Sequence, residues 1–294
     1  MRIGVIGLGS MGYGMAQSLL RAGHETHGFD VNAEAMARFA AEGGAPGDLV
    51  EVAGGFDAAV IVVLNAAQTR AVLGELLPLL RPGAVVVACA TVAPEFAREM
   101  AAAAAARDVN YLDAPISGGA VKAAAGQLSI MASGSPAAFA AARPALDAMA
   151  ETVFELGADP GAGSAMKAVN QLLVGVHIAA MAEAMTFGMT QGVPPARVLE
   201  VISKCAGTSW AFENRGPHVV EGDYAPASAV DIWPKDLGIV LDIARGAKFS
   251  APLTAAALQQ FLAASGSGLG REDDAAVAKV YARNAGLTLP GEEA

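Results

Sequence analysis

The sequence feature that most constrains the fold is a glycine-rich turn close to the N-terminus. A short apolar run at residues 2–6 leads directly into Gly7-Leu-Gly-Ser-Met-Gly12. A helical pattern of apolar residues follows the turn, and residues 25–30 then form a second predicted strand that ends at the acid Asp30. This order of strand, Gly-x-Gly-x-x-Gly, helix, strand and acid is the fingerprint of a dinucleotide-binding βαβ unit.

The three glycines of the turn have separate tasks. Gly7 allows the tight turn, Gly9 lets the main chain approach a pyrophosphate, and Gly12 permits the helix to pack closely on the strand. The first turn of the helix adds N–H donors and the positive end of the helix dipole. A glycine motif alone is equally compatible with an ordinary tight turn, but the flanking elements favour cofactor binding. The predicted contacts are Gly7, Leu8, Gly9, Ser10, Met11 and Gly12.

The acid at the end of the second strand predicts the choice of cofactor. Asp30 can accept hydrogen bonds from the ribose hydroxyls of NAD, and its charge would repel the 2′-phosphate of NADP. The nearest following base is Arg38, which lies in the next predicted helix. We therefore expect NAD, with NADP as the less favoured cofactor.

Strands and helices continue to alternate after the fingerprint. Predicted strands at residues 58–64 and 84–88 are followed by Asn65 and Thr91. Because the carboxyl ends of parallel strands face the ligand crevice, both side chains are candidates for cofactor contacts. Both are equally compatible with capping of a helix that follows.

A glycine loop follows the next predicted strand, at residues 109–116. Ser117-Gly-Gly119 offers one hydroxyl and three backbone N–H groups, which suit a carboxylate without supplying a positive charge. A plain glycine turn is the simpler alternative. Two more strands are expected at residues 126–132 and 151–156, around a further helix.

The segment Asp159-Pro-Gly-Ala-Gly-Ser164 marks a change in pattern, because the chain after it is helical almost throughout. The predicted fold is an α/β Rossmann domain, doubly wound with a mostly parallel sheet, joined by a long helix to an all-α domain. We place the dinucleotide-binding domain at residues 1–161 and the helical domain, for substrate binding and dimerisation, at residues 162–294. Ser164 is expected near the cap of the long helix, and residues 287–294 are expected to form a mobile tail.

The long helix carries an unusual charge near its start. Lys167 and Glu183 are the only formal charges at residues 163–191, and a lysine on an apolar helix is costly to bury without a partner. The simplest interpretation is a side chain that extends to the surface. The alternative is a functional lysine, and Asn170 and Gln171 follow it on the same helical face.

Composition limits the partners of the protein. The 294 residues are 54% hydrophobic, with 29 acidic and 19 basic residues and a net charge of −10. This balance argues against binding to nucleic acid or to an anionic membrane, because both depend on Lys and Arg. A small anionic substrate remains compatible, since the charge at a local binding site can differ from the net charge of the protein.

Several other classes of site and location are not expected. His24, His27, His177 and His218 form no metal-binding pattern with carboxylates or thiols. The two distant cysteines suggest a reducing compartment, and no leader precedes the first strand, so we expect a cytoplasmic protein. The apolar run after Lys167 is shorter than the roughly 20 residues that a membrane span needs.

Four motifs stand in order along nearly the whole chain. They are Gly7-Leu-Gly-Ser-Met-Gly12, Asp113-Ala-Pro-Ile-Ser-Gly-Gly119, Gly163-Ser-Ala-Met-Lys167 with Asn170-Gln171, and Lys235-Asp-Leu-Gly238. This set resembles the β-hydroxyacid dehydrogenases, which include 3-hydroxyisobutyrate dehydrogenase and tartronate semialdehyde reductase. The resemblance implies a Rossmann domain, a long connecting helix, an all-α domain, and assembly as homodimers or homotetramers.

The same resemblance implies roles for individual residues. Ser117, Gly118 and Gly119 would hold the substrate carboxylate, Lys167 would be the catalytic acid/base, and Asn65, Thr91 and Lys235 would contact the nicotinamide side of the cofactor. Oxidation of an alcohol requires a group that accepts the hydroxyl proton and stabilises developing charge. Burial would lower the pKa of Lys167 towards a value suited to this exchange. Asn170 and Gln171 would orient the substrate.

The second half of the chain resembles the L-threonate dehydrogenase branch of this family. The resemblance lies at residues 171–180, 209–215, 222–232 and 272–274. That branch oxidises the C3 hydroxyl of a four-carbon sugar acid with NAD, and Ser209 and Asn214 would suit a substrate with several hydroxyls. Trp210 and Phe212 are equally compatible with core packing. The chain departs from the common family pattern at Gln171, where asparagine is usual, so the reach of this amide differs.

Other functions would use the same residues. Reduction of tartronate semialdehyde or glyoxylate, or oxidation of 3-hydroxyisobutyrate, requires no further group. Imine reductases share the architecture but commonly replace the lysine, and a 6-phosphogluconate-type activity would require more basic residues. A non-catalytic NAD-binding protein would be expected to lose Lys167 or the loop at residues 117–119.

Overall fold

The computed structural model describes residues 1–292. It divides the chain into two compact units, the first ending at Lys167 and the second beginning at Ala168. The dividing point falls inside one long helix, Ala162–Thr190 (α8). Glu293 and Ala294, the end of the predicted mobile tail, lie outside the described residues.

The first unit is built on a five-stranded parallel sheet. Its strands are Arg2–Ile6 (β1), Glu25–Phe29 (β2), Ala58–Ile61 (β3), Val85–Ala88 (β4) and Asn110–Asp113 (β5). They lie in the order β2-β1-β3-β4-β5. The central strands are almost entirely apolar and buried, as expected for a parallel sheet that helices cover on both faces.

One additional pairing extends the sheet beyond β2. Ala45 forms an isolated parallel bridge with His27. If this bridge is counted as a strand, the order becomes 3-2-1-4-5-6, which is that of a dinucleotide-binding Rossmann fold. The strand order reverses between β1 and β3, and ligands of such sheets bind outside the carboxyl ends of the strands at that point.

Helices cover both faces of this sheet. They are Gly12–Arg21 (α1), Ala33–Ala41 (α2), Leu49–Val52 (α3), Ala66–Leu76 (α4), Pro94–Ala105 (α5), Gly119–Ala125 (α6) and Pro136–Met149 (α7). One apolar cluster, with Met15 and Leu19, packs on one face, and another, with Phe56 and Leu73, packs on the other. The predicted α/β fold class is confirmed.

A second, smaller sheet completes the first unit. It contains Ile116–Ser117 (β6), Leu128–Ala132 (β7) and Ala150–Glu155 (β8), with β6 antiparallel and β8 parallel to β7. The sequence predicts one strand over residues 109–116, but the structure divides it between the two sheets at Ala114-Pro115. Pro115 has no N–H for a strand ladder, which accounts for the break.

The second unit is helical, as predicted. After α8 it contains Pro195–Ile202 (α9), Trp210–Glu221 (α10), Ile232–Gly246 (α11), Pro252–Ala264 (α12) and Val277–Asn284 (α13). Residues 266–270, predicted as a loop, follow α12 in a π-helical turn at Ser265–Leu269, and the helix is broken there at Gly268, whose φ of 86° is not helical. Within the predicted tail, Leu289 is 2% exposed and belongs to the helical core, so mobility is the wrong description for that residue.

Candidate functional site

The glycine-rich turn is shaped by contacts within the protein at two of its three glycines. Gly7 has a φ of 100°, and a Cβ there would lie 2.2 Å from the carbonyl oxygen of Val62. A Cβ at Gly12 would lie 1.9 Å from the carbonyl oxygen of Gly7. Both distances are shorter than any real contact, so the fold itself requires glycine at these positions.

Gly9 differs, because the protein does not require glycine there. Among residues 1–292, leaving aside its two chain neighbours, no atom would lie within 4 Å of a Cβ at this position. Gly9 and Ser10 are exposed and line a cavity of about 550 Å³ beside the turn. Open space in front of a conformationally ordinary glycine is what a closely approaching pyrophosphate needs, so these residues fit a dinucleotide. Met11 precedes the first residue of α1 and is partly exposed.

Asp30 is fixed against the turn by two backbone hydrogen bonds. The N–H of Leu8 donates to Oδ2 at 2.6 Å, and the N–H of Asn32 donates to Oδ1 at 2.8 Å. The backbone amide of Leu8 therefore points at Asp30, while the side chain of Leu8 is buried in the core. The carboxylate is held in place at the end of β2, where the predicted ribose contact would be made.

The cavity beside the turn is lined by Arg38, the base noted in the sequence after Asp30, and by other residues that sequence reasoning did not identify. Tyr13 and Gln17 contribute from α1, and Asn32 and Arg38 from the chain after β2. The guanidinium carbon of Arg38 lies 3.8 Å from the centre of the Tyr13 ring. The spacing of Tyr13 and Gln17, one turn apart on the helix that follows the fingerprint, is the signal that could have identified this wall.

Asn65 and Thr91 differ in their local roles. Asn65 is the N-cap of α4, and its Oδ1 accepts from the N–H of Gln68 at 2.9 Å. Thr91 is partly exposed and lies in the segment after β4, but the N-cap of α5 is Ala93. The capping alternative therefore applies to Asn65 and not to Thr91. A cofactor contact remains a prediction for both.

The predicted Ser117–Gly119 loop is shorter than expected. Ser117 belongs to β6 and Gly119 opens α6, which leaves Gly118 as the one connecting residue. Gly118 has a φ of 136° and Gly119 a φ of 77°. Only glycine adopts such angles without strain, so the turn between β6 and α6 explains both glycines structurally. Ser117 and Gly118 are partly exposed and Gly119 is exposed.

The start of α8 is held by Asp113, at the end of β5. The N–H groups of Gly161 and Ser164 donate to its Oδ2 at 2.9 and 2.8 Å, and the Ser164 hydroxyl donates to Oδ1 at 2.6 Å. Gly163 N–H donates to the hydroxyl of Ser133. Burial raises the pKa of Asp113, while these hydrogen bonds act to lower it. Ser164 lies near the helix start, as expected, but inside the first turn of α8, and it is Asp113 of β5 that accepts hydrogen bonds from the helix start.

Lys167 lies one turn after this anchored start. Its exposed fraction is 7%, so the interpretation of a side chain that extends to the surface is wrong. The lysine is held in the interior of the protein, on a helix whose first turn is fixed by a buried carboxylate.

The amides after Lys167 belong to a hydrogen-bonded chain in the helical unit. Asn170 Nδ2 donates to Gln171 Oε1 at 2.8 Å, and Gln171 Nε2 donates to Asp236 Oδ2 at 2.5 Å. Lys235 Nζ donates to Asp236 Oδ1, also at 2.5 Å. Gln171 and Asp236 are buried, whereas Asn170 and Lys235 are partly exposed. Asp236 was missed by sequence reasoning, although it stands inside the Lys235–Gly238 motif.

The polar residues around Trp210 have roles within the helical unit. Ser209 is the N-cap of α10 and accepts from the N–H of Phe212 at 3.1 Å. Asn214 Oδ1 accepts a hydrogen bond from the Arg215 guanidinium. Phe212 is core, as its alternative interpretation predicted, whereas Trp210 is 62% exposed. These contacts explain Ser209 and Asn214 without a substrate.

A second buried cluster in the helical unit is formed by acids and bases. Arg215 Nε donates to Asp274 Oδ1 at 2.6 Å, and Trp233 Nε1 donates to Asp274 Oδ2 at 2.9 Å. Asp273 lies 3.8 Å from Arg215 and 4.0 Å from His218. Burial raises the pKa of Asp274 to about 6, against the opposing effect of Arg215.

Two protein families match consecutive parts of the chain. Residues 2–157 match the family described as the NAD binding domain of 6-phosphogluconate dehydrogenase. Residues 161–281 match the family described as NAD-binding of NADP-dependent 3-hydroxyisobutyrate dehydrogenase. The two matches together span both structural units.

Individual relatives match over almost the full chain. A Cupriavidus necator protein named L-threonate dehydrogenase is 50% identical, over 99% of this chain and 98% of its own length. A Pseudomonas aeruginosa protein named 3-hydroxyisobutyrate dehydrogenase is 37% identical, over 88% of this chain and 90% of its own. A crystal structure of a Salmonella typhimurium protein, named 3-hydroxyisobutyrate dehydrogenase, superposes with a TM-score of 0.89 and 51% identity, covering 95% of this chain and 99% of that one.

Proposed function

Because the chain belongs to the β-hydroxyacid dehydrogenase family, we propose that it oxidises the C3 hydroxyl of a small sugar acid resembling L-threonate. It is an NAD-dependent dehydrogenase that acts on a hydroxyacid. The observation that carries the choice of substrate is its full-length similarity to the Cupriavidus necator protein. The partly exposed amide of Asn170 supports a substrate with a further hydroxyl group.

The proposal gives each predicted site residue a task. NAD supplies the hydride acceptor when it is bound. The turn at residues 7–12 and Asp30 hold the cofactor, while Asn65, Thr91 and Lys235 contact its nicotinamide side. The hydroxyl of Ser117 and the N–H groups of Gly118 and Gly119 bind the substrate carboxylate.

Lys167 is the proposed catalytic residue. It accepts the proton of the C3 hydroxyl as the hydride leaves the carbon, and its ammonium then stabilises charge on the oxygen. Two observations support this role: the side chain is buried, and the first turn of its helix is fixed by Asp113. A fixed position matters, because proton transfer requires the donor and acceptor atoms to stay within hydrogen-bonding distance.

Lys167→Ala tests the proposed catalysis. We expect kcat to fall about a thousandfold, as is typical when an acid/base group is lost, while NADH still binds, as measured by its fluorescence. Lys204→Ala is the control, because Lys204 is an exposed lysine in the helical unit. Near-normal turnover in Lys167→Ala would overturn the assignment.

A second candidate substrate is 3-hydroxyisobutyrate. The name of the Salmonella typhimurium protein favours it, at an identity as high as that of the Cupriavidus necator protein. The deciding measurement is kcat/KM for L-threonate and 3-hydroxyisobutyrate with NAD and NADP, together with reduction of tartronate semialdehyde and glyoxylate. A higher kcat/KM for 3-hydroxyisobutyrate than for L-threonate would reject our first choice.

Family membership indicates a soluble enzyme, and we further propose a cytoplasmic homodimer or homotetramer.

By length and composition α8 could cross a membrane. Its exposed apolar residues Met166, Val169 and Leu173 are 44%, 54% and 47% exposed and recur at helical spacing. We interpret this stripe as a contact between subunits. Leu173→Glu should reduce the mass measured by light scattering, and an unchanged oligomer would reject this surface.

A further inference from the structure

The hydrogen-bonded chain in the helical unit has a direction that its chemistry fixes. A carboxylate accepts hydrogen bonds and has none to donate. Asp236 receives the Lys235 ammonium on one oxygen and the Gln171 amide on the other. The nitrogen of Gln171 must therefore face Asp236, because the opposite orientation would place two oxygens against each other.

The orientation of Gln171 in turn fixes that of Asn170. With its nitrogen on Asp236, Gln171 presents Oε1 to its neighbour, and Asn170 Nδ2 donates to it. The oxygen and nitrogen of an amide lie on opposite sides of its carbon, so Oδ1 of Asn170 is turned away from Gln171. Asn170 is the partly exposed member of this trio, whereas Gln171 and Asp236 are buried.

We propose that Gln171 and Asp236 are positioning residues that turn Asn170 Oδ1 outwards to accept a hydrogen bond from a substrate hydroxyl that is not oxidised. This inference rests on the proposed function and deepens it. Asn170 touches the substrate, and Gln171 and Asp236 act through it. The chemical class recognised is a hydroxyacid that carries a second hydroxyl beside the reacting one.

The length of the Gln171 side chain is essential to this arrangement. An asparagine at 171 is shorter by one methylene, about 1.5 Å, and would leave the Asp236 carboxylate beyond hydrogen-bonding range. The departure from the common family pattern therefore creates the link between the two helices.

Close packing of α8 on α11 brings the two side chains together. Gly175 lies one turn after Gln171, and a Cβ there would lie 2.8 Å from Leu237 and 2.9 Å from the Trp233 ring. These two residues flank Asp236 in the sequence. The absence of a side chain at Gly175 thus permits the short distance that the hydrogen bond needs.

A fixed acceptor explains discrimination better than an apolar pocket could. A site built to bind a hydroxyl disfavours an analogue that lacks it, because the polar group that would accept its hydrogen bond is then left unpaired in the complex. An amide that can rotate freely loses part of this preference, since it must be ordered when substrate binds.

The test compares substrates across variants of the hydrogen-bonded chain Asp236–Gln171–Asn170, which we call the relay. The acids are L-threonate, 3,4-dihydroxybutanoate (no C2 hydroxyl), 2,3-dihydroxybutanoate (no C4 hydroxyl) and 3-hydroxybutanoate (neither). We expect the wild-type protein to prefer L-threonate, and Gln171→Met to reduce the kcat/KM ratio of L-threonate to 3-hydroxybutanoate at least tenfold. Gln259→Met, the same change at an exposed glutamine of α12, should leave the ratio unchanged.

A double variant separates orientation from packing. In Asp236→Asn, Lys235 still requires an oxygen, so the new amide nitrogen faces Gln171 and reverses the relay, which lowers the ratio. In Gln171→Glu the two adjacent carboxylates repel, which also lowers it. In Gln171→Glu with Asp236→Asn, the glutamate accepts from both Asn170 and the new asparagine. Orientation is restored, and the ratio should return to within about threefold of wild type.

The outcomes distinguish this inference from the proposed function. If the wild-type protein oxidises these acids but Gln171→Met, shown to be folded and to bind NADH, keeps the wild-type ratio, the relay is rejected and the function stands. A double variant no better than either single variant also rejects the relay. A wild-type protein inactive on all the acids overturns both. The relay is supported if an acid that lacks the C2 or the C4 hydroxyl has a lower kcat/KM than L-threonate with the wild-type protein but not with Gln171→Met.

Discussion

The cofactor-binding unit and the helical unit position their functional groups in different ways. The first uses the main chain: the turn exists because no Cβ stands at Gly7 or Gly12. The second uses hydrogen-bonded side chains, such as Gln171 with Asp236. A main-chain site should therefore be sensitive to added atoms, and a side-chain site to lost partners.

The largest expected effect comes from adding one methyl group to the turn. Gly12→Ala places a Cβ against the carbonyl oxygen of Gly7, so we expect loss of stability of about 3 kcal/mol or more and no measurable NAD binding. Gly9→Ala should weaken NAD binding, measured calorimetrically, while the thermal midpoint stays unchanged. An equal loss of stability in both variants would show that Gly9 is also constrained by the protein.

The next effect in size concerns the anchored start of α8. Asp113→Ala leaves the buried N–H groups of Gly161 and Ser164 without an acceptor, which should lower the free energy of unfolding by about 3 kcal/mol. We expect kcat to fall as well, because the turn before Lys167 loosens. Urea denaturation measures the first effect, with the exposed acid Asp159→Ala as the control. Equal stability in the two variants would contradict this account.

A smaller effect is expected from Asp30. Asp30→Ala removes the predicted ribose contact and the repulsion of a 2′-phosphate, so the ratio of kcat/KM for NAD to that for NADP should fall about tenfold or more. Glu34→Ala changes another acid of the same cavity and should leave the ratio near its wild-type value. A preference for NAD that survives in Asp30→Ala would place the selectivity elsewhere.

The smallest effect is a dependence of stability on pH in the helical unit. Because burial raises the pKa of Asp274 to about 6, the folded protein takes up a proton at a higher pH than the unfolded chain. This contribution to stability is present at low pH and lost as pH rises through 6. Relative to Asp274→Asn, the wild-type protein should gain about 1 kcal/mol between pH 8 and pH 5. Urea denaturation at each pH should show this gain, and a constant difference would contradict it.

The same contrast explains how much could be predicted from the sequence. The turn at residues 7–12 was recognisable because main-chain geometry imposes glycine at fixed local spacing. Asp236 was not recognised as a partner of Gln171, since the two are 65 residues apart and meet only when helices pack. The break at Pro115 was missed for a related reason: local apolar pattern does not show which sheet a strand joins. The predicted roles of the site residues remain to be tested by the variants above.

Gly175 has a consequence for how this enzyme can change over generations. It offers no polar atom to a ligand, yet a methyl group there would displace Trp233 or Leu237 and so shift the helix that carries Asp236. A single inherited substitution at this apolar position could therefore broaden the range of acids the enzyme accepts, with every polar residue conserved. Surveys of natural variants that compare only polar residues would miss such an origin of new specificity.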